Sequence, residues 1–395
     1  MRRGSTTRYS VGNRPTWALA FCLPAIVVAA VNAQQVPPTP SQPPPDNANS
    51  AERIVALDPR WTVSFTSAPS AAAGYDQQFG YVPLKGGDLV AVDLNQGRIA
   101  WTVPFQTTSP PATGDGLVFA AGDGVITALE QRSGSTIWKT AIDSPLALGL
   151  YWDTGWLLAS TEAGDLLALH AQDGRVLWRQ PLASPLLVEP TPAGDRIYVA
   201  LRDGRIAALA LATGELAWTS PLNEPVTGML AVEDQLFVGT RQNLLHSLSL
   251  RDGRIRWSQR AGADTAGAPV VDDRMVYFTA LDNVVRALDR RTGNMRWNKT
   301  LPSRPAAGPL RTGDVVLIPL VTNDISAFNA RTGAAAFTIK AVGEIAGVPF
   351  VREAARPTAP LLVAMSREGA LQGFAPRVEP PPTALSVLPG LKVAS

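Results

Sequence analysis

Residues 287–297, Ala-Leu-Asp-Arg-Arg-Thr-Gly-Asn-Met-Arg-Trp, contain the spacing that decides the fold: a small residue, a glycine six positions later and an aromatic residue four positions after that. The chain contains this spacing seven times, at Ala91–Gly97–Trp101, Ala128–Gly134–Trp138, Ala168–Gly174–Trp178, Ala208–Gly214–Trp218, Ser247–Gly253–Trp257, Ala287–Gly293–Trp297 and Ala327–Gly333–Phe337. Successive aromatic residues lie 37, 40, 40, 39, 40 and 40 positions apart. A β-rich repeat of about 40 residues indicates a β-propeller or a similar array.

Short strands joined by tight turns make up each repeat. In the fourth copy, apolar segments at 197–200 and 205–211 are separated by Asp203-Gly204, and the segment 216–219 follows Thr213-Gly214. Glycine at such turns provides the positive φ that hairpins need. Residues 225–230 then provide the innermost strand of the next unit. Each unit is therefore predicted to be a four-stranded antiparallel propeller blade.

The aromatic residue of each repeat is predicted to dock one blade on the next. A large ring on an outer strand can pack over the neighbouring turn, where glycine lets it approach the backbone. The predicted docking aromatics are Trp61, Trp101, Trp138, Trp178, Trp218, Trp257, Trp297 and Phe337, and the predicted docking glycines are Gly97, Gly134, Gly174, Gly214, Gly253, Gly293 and Gly333. Phe337 is expected to dock less strongly than a tryptophan.

The two ends of the repeat region complement one another. Residues 60–65, with Trp61, resemble an outer strand that lacks its three inner strands, whereas residues 344–351, 361–366 and 369–374 resemble three strands without an outer one. We expect the N-terminal strand to complete the last blade, since this closure removes exposed sheet edges. The predicted fold is all-β: an eight-bladed β-propeller of four-stranded antiparallel blades over residues 60–376.

Composition excludes some partners and some chemistry. Four of the 35 basic side chains lie in the first 33 residues, which contain no acid, so the remainder carries 31 basic and 33 acidic side chains. A slightly acidic body without basic runs argues against a nucleic-acid partner. Cys22 is the single cysteine and lies in the leader, so no disulfide or thiol chemistry is expected in the mature protein.

The segments outside the repeats resemble export and linker sequences. Residues 1–33 read as a signal peptide, with a basic start, an apolar stretch and a small-residue cleavage site at Val31-Asn32-Ala33. Retention of the leader as an anchor and lipidation at Cys22 are the alternatives. Residues 34–59 are predicted to be a Pro-rich linker, and 377–395 a Pro-rich C-terminal tail. The expected location is periplasmic or extracytoplasmic, with contact to a membrane only through a retained leader or tether.

The pattern Ala-x-Asp-x-x-x-Gly-x-x-x-Trp, intact at residues 91–101 and 287–297, resembles the docking motif of pyrroloquinoline-quinone-type propellers. That family comprises quinoprotein dehydrogenases and non-catalytic eight-bladed relatives, including the BamB-like propellers of outer-membrane protein assembly. The length of the chain and the lack of added domains resemble the non-catalytic branch. The resemblance therefore implies an exported scaffold that binds a protein or peptide partner in the cell envelope as a monomer, with no enzyme activity and no cofactor.

The alternative implied by the same resemblance is a small quinoprotein dehydrogenase. Such enzymes hold a quinone beside adjacent cysteines, with calcium bound by Glu, Asn and Asp. No cysteine lies in the mature chain, and the candidate ligands Glu162, Asn243 and Asp264 are scattered turn residues. The histidines His170 and His246 likewise have no convergent partners in the sequence. We therefore expect no catalytic, cofactor-binding or metal-binding residue.

The resemblance also suggests a partner-binding segment. BamB-like propellers use a Leu-rich stretch with an arginine between blades, and the corresponding residues 184–190 contain Leu186, Leu187 and Glu189 but no arginine. The two leucines are candidate contact residues, with burial in an inner strand as the alternative. Two further tryptophans, Trp152 and Trp156, flank a predicted turn, where an exposed indole could serve as a contact residue.

Overall fold

The repeated hairpins form eight four-stranded sheets in the computed structural model, which describes residues 57–353 and 360–377. All of these residues belong to one compact unit, Glu52–Ser395. The predicted signal peptide (1–33), the linker up to residue 56, residues 354–359 and the tail after Arg377 lie outside the described residues. Within the described ranges, no helix has the length and apolar character that a membrane span requires.

The first four blades follow one another along the chain, each with its strands in the order innermost to outermost. Their strands are β2 (Gly74–Tyr75), β3 (Phe79–Pro83), β4 (Asp88–Asp93) and β5 (Arg98–Pro104) in blade 1; β6 (Ala112–Gly114), β7 (Leu117–Gly122), β8 (Val125–Glu130) and β9 (Thr136–Ala141) in blade 2; β10 (Tyr151–Asp153), β11 (Trp156–Ser160), β12 (Asp165–His170) and β13 (Val176–Pro181) in blade 3; and β14 (Thr191–Ala193), β15 (Arg196–Ala200), β16 (Arg205–Ala210) and β17 (Leu216–Pro221) in blade 4.

Blades 5–7 repeat this order, and blade 8 combines both ends of the described chain. The strands are β18 (Val226–Val232), β19 (Gln235–Thr240), β20 (Leu244–Ser249) and β21 (Ile255–Arg260) in blade 5; β22 (Val270–Val271), β23 (Met275–Ala280), β24 (Val284–Asp289) and β25 (Met295–Thr300) in blade 6; β26 (Leu310–Thr312), β27 (Val315–Pro319), β28 (Asp324–Asn329) and β29 (Ala335–Lys340) in blade 7; and β30 (Phe350–Arg352), β31 (Leu361–Met365), β32 (Ala370–Pro376) and β1 (Leu57–Ser64) in blade 8.

Blade 8 confirms that the N-terminal strand closes the ring. β1 pairs antiparallel with β32, from Leu57 opposite Pro376 to Ser64 opposite Ala370. The strand begins three residues before the predicted boundary, so residues 57–59 belong to the propeller and not to the linker. The predicted strand at 344–351 is shorter than expected: only Phe350–Arg352 forms β30, while Ile345 makes a single bridge to Ser366.

The core is divided among the eight gaps between neighbouring blades. Each gap contains one cluster of buried side chains, and the cluster between blades 8 and 1 joins Val63 and Leu371 to Val82 and Val90. Because successive side chains on a strand point to opposite faces, a middle strand contributes to two gaps. These strands are apolar almost throughout, since both of their faces are buried.

Strand register explains the spacing of the repeat. In each blade the small residue lies directly opposite the aromatic residue of the outer strand, as with Ala91 opposite Trp101 and Ala287 opposite Trp297. In these two blades a bulge follows the small residue, between Ala91 and Val92 and between Ala287 and Leu288. A small side chain at this position leaves room for the ring that crosses it.

The antiparallel order gives the propeller two different faces. The turns between second and third strands and the connections between blades lie at one end, which we call the connection face. The turns between first and second strands and between third and fourth strands lie at the opposite end, which we call the hairpin face.

Candidate functional site

The docking tryptophans lie on the neighbouring blades as the spacing predicts. The indole N–H of each donates to a carbonyl in the next blade's turn between third and fourth strands, in the pairs Trp61–Leu94, Trp101–Gln131, Trp138–Ala171, Trp178–Leu211, Trp218–Leu250, Trp257–Arg290 and Trp297–Ala330, at 2.8–3.2 Å. The ring also covers the glycine of that turn. At Gly293, for example, where φ is +75°, a β-carbon would lie 2.7 Å from Cδ2 of Trp257.

Phe337 differs from the tryptophans because the blade that it meets is built differently. Blade 8 takes its third strand from β32, which ends at Pro376, and its fourth from β1, which begins at Leu57. Among the described residues, no glycine turn joins these two strands, so Phe337 meets no counterpart of the glycine that the tryptophan rings cover. Phe337 instead packs against the cluster that includes Ile339 and Phe374.

The predicted partner-binding residues lie on the connection face, between blades 3 and 4. Leu186 is only 1% exposed and bridges to Leu201, so its side chain belongs to the core. Leu187 is half-buried, and Glu189 is exposed. The candidate surface therefore keeps Leu187 and Glu189, whereas Leu186 follows the alternative of burial.

Leu187 lines a hollow of about 500 Å³ on the connection face. The hollow is bounded by inner segments and turns of blades 4 to 7: Leu187, Val188, Val226, Thr227, Arg241, Asp264, Thr265, Ala266, Gly267, Leu281, Pro305, Ala306 and Ala307. The inner segments converge so closely here that a β-carbon on Gly267 would lie 2.5 Å from the amide nitrogen of Gly308. Four of the thirteen lining residues are alanine or glycine, which suits the narrowing of the blades towards the axis.

Exposed valines lie on the same face, around blades 7 and 8. Val342 is 56% exposed and Val348 is 54% exposed; both belong to the connection from blade 7 to blade 8, and Val321 lies in the adjacent turn of blade 7. These residues lie in irregular segments without periodicity, so sequence reasoning did not single them out.

Ion pairs link neighbouring segments of this face in blades 3 and 4 and in blade 8. Arg202 in blade 4 donates two hydrogen bonds to Glu162 in blade 3, at 3.0 and 3.2 Å, and these bonds lower the pKa of Glu162. In blade 8, Arg367 lies 2.9 Å from Glu344. A pair of this kind fixes the relative positions of neighbouring turns more than it adds stability, since exposed pairs contribute little.

The donors for a calcium-bound quinone do not converge. The carboxylate of Glu162 is occupied by Arg202, while Asn243 and Asp264 belong to different turns and connections of blades 5 and 6. Within residues 57–353 and 360–377, no group of three or more His, Cys, Asp and Glu side chains is placed to hold a metal ion. The residues present therefore do not fit that cofactor site.

Both histidines have neighbours within their own blades or the adjoining connection. His246 is buried, with Nδ1 2.7 Å from the Ser258 hydroxyl and Nε2 3.3 Å from Glu224. Nδ1 of His170 lies 3.0 Å from Asp173, in the turn that follows.

The extra tryptophans are more buried than an exposed turn would allow. Trp152 and Trp156 lie on β10 and β11 and are both half-buried. The Trp152 ring covers Gly114 of blade 2, where a β-carbon would overlap it, and Trp156 packs against the cluster between blades 3 and 4. The expectation that either indole is a free contact residue is therefore not supported by its position.

The topology and the docking geometry define an eight-bladed β-propeller with tryptophan-docked blades. The family described as outer membrane protein assembly factor BamB matches residues 50–139, 122–231 and 202–336, more than half of the chain, and the protein belongs to that family. No curated protein matches the chain significantly.

Solved structures agree with this fold. BamB from Moraxella catarrhalis superposes with a TM-score of 0.67 at 16% identity, covering 81% of this chain and 100% of the other. Sqt1 of Saccharomyces cerevisiae gives a TM-score of 0.69 at 12% identity, covering 81% and 99%. The quinohemoprotein alcohol dehydrogenase of Comamonas testosteroni gives 0.68 at 13% identity, covering 87% and 80%. At these identities the three structures support the fold alone.

Proposed function

We propose that this protein is an exported, non-enzymatic scaffold that binds a protein or peptide partner in the cell envelope during outer-membrane protein assembly. Its membership of the BamB family supports the envelope location and the class of partner. The observation that carries the proposal is that three exposed valines, Val321, Val342 and Val348, all lie on the connection face at blade 7 and its connection to blade 8.

These valines differ from the other exposed apolar residues of the propeller. Six further large hydrophobic side chains with substantial exposure lie singly on the outer strands, at Ile99, Ile137, Val176, Leu216, Ile255 and Met295. Scattered surface hydrophobics are normal, whereas a group with polar residues around it is typical of an interaction site. Glu344, which lies between Val342 and Val348 in the chain, forms an ion pair with Arg367 and adds polar groups to this segment.

The second candidate is a quinoprotein dehydrogenase that uses the funnel at the axis. The similarity of the fold to a quinohemoprotein alcohol dehydrogenase keeps this candidate open to test. The lack of converging calcium donors around Glu162, Asn243 and Asp264 argues against it. The scaffold proposal is therefore preferred.

The first test places a charge on the connection face. The double variant Val342→Asp/Val348→Asp should lose co-purification with the outer-membrane assembly machinery from solubilised envelopes, because burying two carboxylates in an apolar contact is costly. Ile137→Asp is the matched control, since Ile137 is 52% exposed on an outer strand. Unchanged thermal unfolding of both variants verifies that they are folded. Equal recovery of the machinery with both variants would contradict the proposal.

The second test separates the scaffold from the dehydrogenase. Calcium and pyrroloquinoline quinone are added to the purified chain, and tryptophan fluorescence and the melting temperature are followed. A ligand that binds the folded state raises the melting temperature by mass action. We expect no change, and a raised melting temperature with quenched fluorescence would favour the dehydrogenase.

A further inference from the structure

The hairpin face carries an arginine-lined groove across blades 5, 6 and 7. It encloses about 750 Å³. Its basic side chains, which define what we call the arginine groove, are Arg256, Arg274, Arg290, Arg291, Arg296 and Arg331. The sequence did not reveal this feature, because the six residues come from strands and turns spread over 76 positions of a chain with no basic run.

Three of these arginines are neutralised within the groove. Arg256 lies 2.7 Å from Asp234, Arg296 lies 2.6 Å from Asp289, and Arg290 pairs with Glu233. These three acids and Asp273 are the acidic residues of the lining, so six positive charges face four negative ones and the net charge is +2.

The other three arginines have no such partner. Arg274, Arg291 and Arg331 form no ion pair or side-chain hydrogen bond with any residue of 57–353 or 360–377, and all three are exposed. Arg274 lies in the turn between β22 and β23, Arg291 in the turn between β24 and β25, and Arg331 in the turn between β28 and β29. Their guanidinium groups are therefore available for an external anion.

The floor of the groove is built from buried polar groups. Arg290 is 7% exposed; its Nη1 donates to the carbonyl of Asp272 at 3.0 Å, and its Nε donates to Oε1 of Gln235 at 3.3 Å. Gln235 in turn donates to the hydroxyl of Ser247 and to the carbonyl of Arg290, both at 3.0 Å. A network with these bonds holds the floor rigid while the rim arginines project from separate turns.

These floor residues depart from the repeat. Arg290 is one of seven turn residues whose carbonyl accepts a tryptophan N–H. The other six are Leu94, Gln131, Ala171, Leu211, Leu250 and Ala330, and none of them is charged. Ser247 similarly replaces the alanine found in the other six copies. Buried residues that break the pattern of a repeat are expected at functional sites.

We propose that the arginine groove binds an extended, acidic segment of a partner protein. A guanidinium group presents a planar fork that matches a carboxylate in two hydrogen bonds. In an extended segment, side chains two residues apart lie about 6.6 Å apart on one face. Alternate acidic residues can therefore reach arginines on separate turns, whereas a single small anion can engage only part of the groove.

This groove is separate from the connection face. Its occupancy does not depend on Val342 or Val348, so the failure of one proposal leaves the other intact. The two faces together would let the propeller hold two segments at once.

The test uses the full chain and a fluorescent twelve-residue peptide with glutamate at every second position. Fluorescence anisotropy should show saturable binding that weakens with salt, since exposed charges are screened. The variant Arg274→Glu/Arg291→Glu/Arg331→Glu should reduce the affinity about tenfold or more, because it replaces attraction by repulsion.

Arg132→Glu is the matched control. Arg132 lies two positions before Gly134 in blade 2, as Arg291 and Arg331 do before Gly293 and Gly333, but it is outside the groove. The Arg132→Glu variant should bind the peptide as the unaltered chain does. Absence of binding, equal binding by the triple variant or equal weakening by Arg132→Glu overturns the proposal.

Two further measurements use inorganic phosphate as a competitor and vesicles containing phosphatidylglycerol. Displacement of the peptide by millimolar phosphate, or vesicle binding that depends on the three arginines while peptide binding does not, also overturns it.

Discussion

The α-carbon of Gly373 faces Trp61 so closely that a β-carbon there would overlap the indole ring. The two residues are opposite one another in the pairing of β32 with β1, as alanine and tryptophan are in other blades. Gly373 is therefore the small residue of the composite blade. The same ring covers Gly97 and donates to Leu94, so Trp61 connects the closing strand to blade 1.

Gly373→Ala should destabilise the propeller by about 1–3 kcal/mol, which is typical of overpacking in a closed site. The measurement is urea unfolding followed by tryptophan fluorescence. Gly86→Ala is the control, because a β-carbon at Gly86 would meet only the Ser67 hydroxyl at 3.4 Å. Equal stability of the two variants would show that β1 does not hold this register.

Trp297→Phe and Trp297→Ala compare a partial loss of a dock with loss of the whole ring. Trp297 is buried and donates to the Ala330 carbonyl at 2.8 Å. Trp297→Phe, which removes the N–H and also shrinks the ring, should cost at least about 1 kcal/mol, and Trp297→Ala about 3–5 kcal/mol. Both are read from denaturant unfolding. A loss below about 1 kcal/mol for the alanine variant would mean that the ring contributes little to docking.

Phe337→Trp should not stabilise the protein, although it restores the consensus of the repeat. In blade 8 the third and fourth strands come from opposite ends of the described chain, so the larger ring would lie over no glycine turn of the kind that Gly333 provides beneath Trp297. The melting temperature should stay the same or fall. A clear rise would show that an indole docks here without a glycine turn beneath it.

Asp272 should make the stability depend on pH in the acidic range. Burial raises the pKa of Asp272, but the Tyr277 hydroxyl at 2.6 Å and the amides of Arg274 and Met275 lower it, and together they hold the pKa below its usual range. Because its folded pKa is depressed, its contribution is present above the unfolded pKa of about 3.9 and is lost as pH falls through the folded value.

Asp272→Asn should therefore be less stable than the unaltered chain at pH 6, with a smaller difference at pH 3. Urea unfolding at the two pH values measures this change. Asp273→Asn, at the exposed neighbouring position, is the control. A difference that stays constant or grows at pH 3 contradicts the assignment.

The fold could be predicted because the tryptophan repeat is governed by local geometry. A ring of this size needs a small residue opposite it and a glycine beneath it, so their fixed spacing is visible in the sequence. The composite blade could be inferred from Trp61, which lies 40 positions before Trp101. The role of Gly373 could not, because its partner lies 312 positions away and the chain between gives no local signal.

The candidate sites were less predictable, because each collects residues from several blades. Leu186 and Leu187 look alike in sequence, yet one is in the core and the other lines the hollow, since neighbouring residues point in opposite directions. The arginine groove requires turns of different blades to meet. Only the departures at Ser247 and Arg290 gave a sequence signal for it.

The most direct test of the scaffold function is site-specific photo-cross-linking in intact cells, with the photoreactive residue in place of Val348. Arg132, exposed on the hairpin face of blade 2, is the control position. We predict a discrete adduct with a component of the outer-membrane assembly machinery from position 348 and none from position 132. Absence of an adduct at 348, or the same adduct from both positions, would contradict partner binding at the connection face.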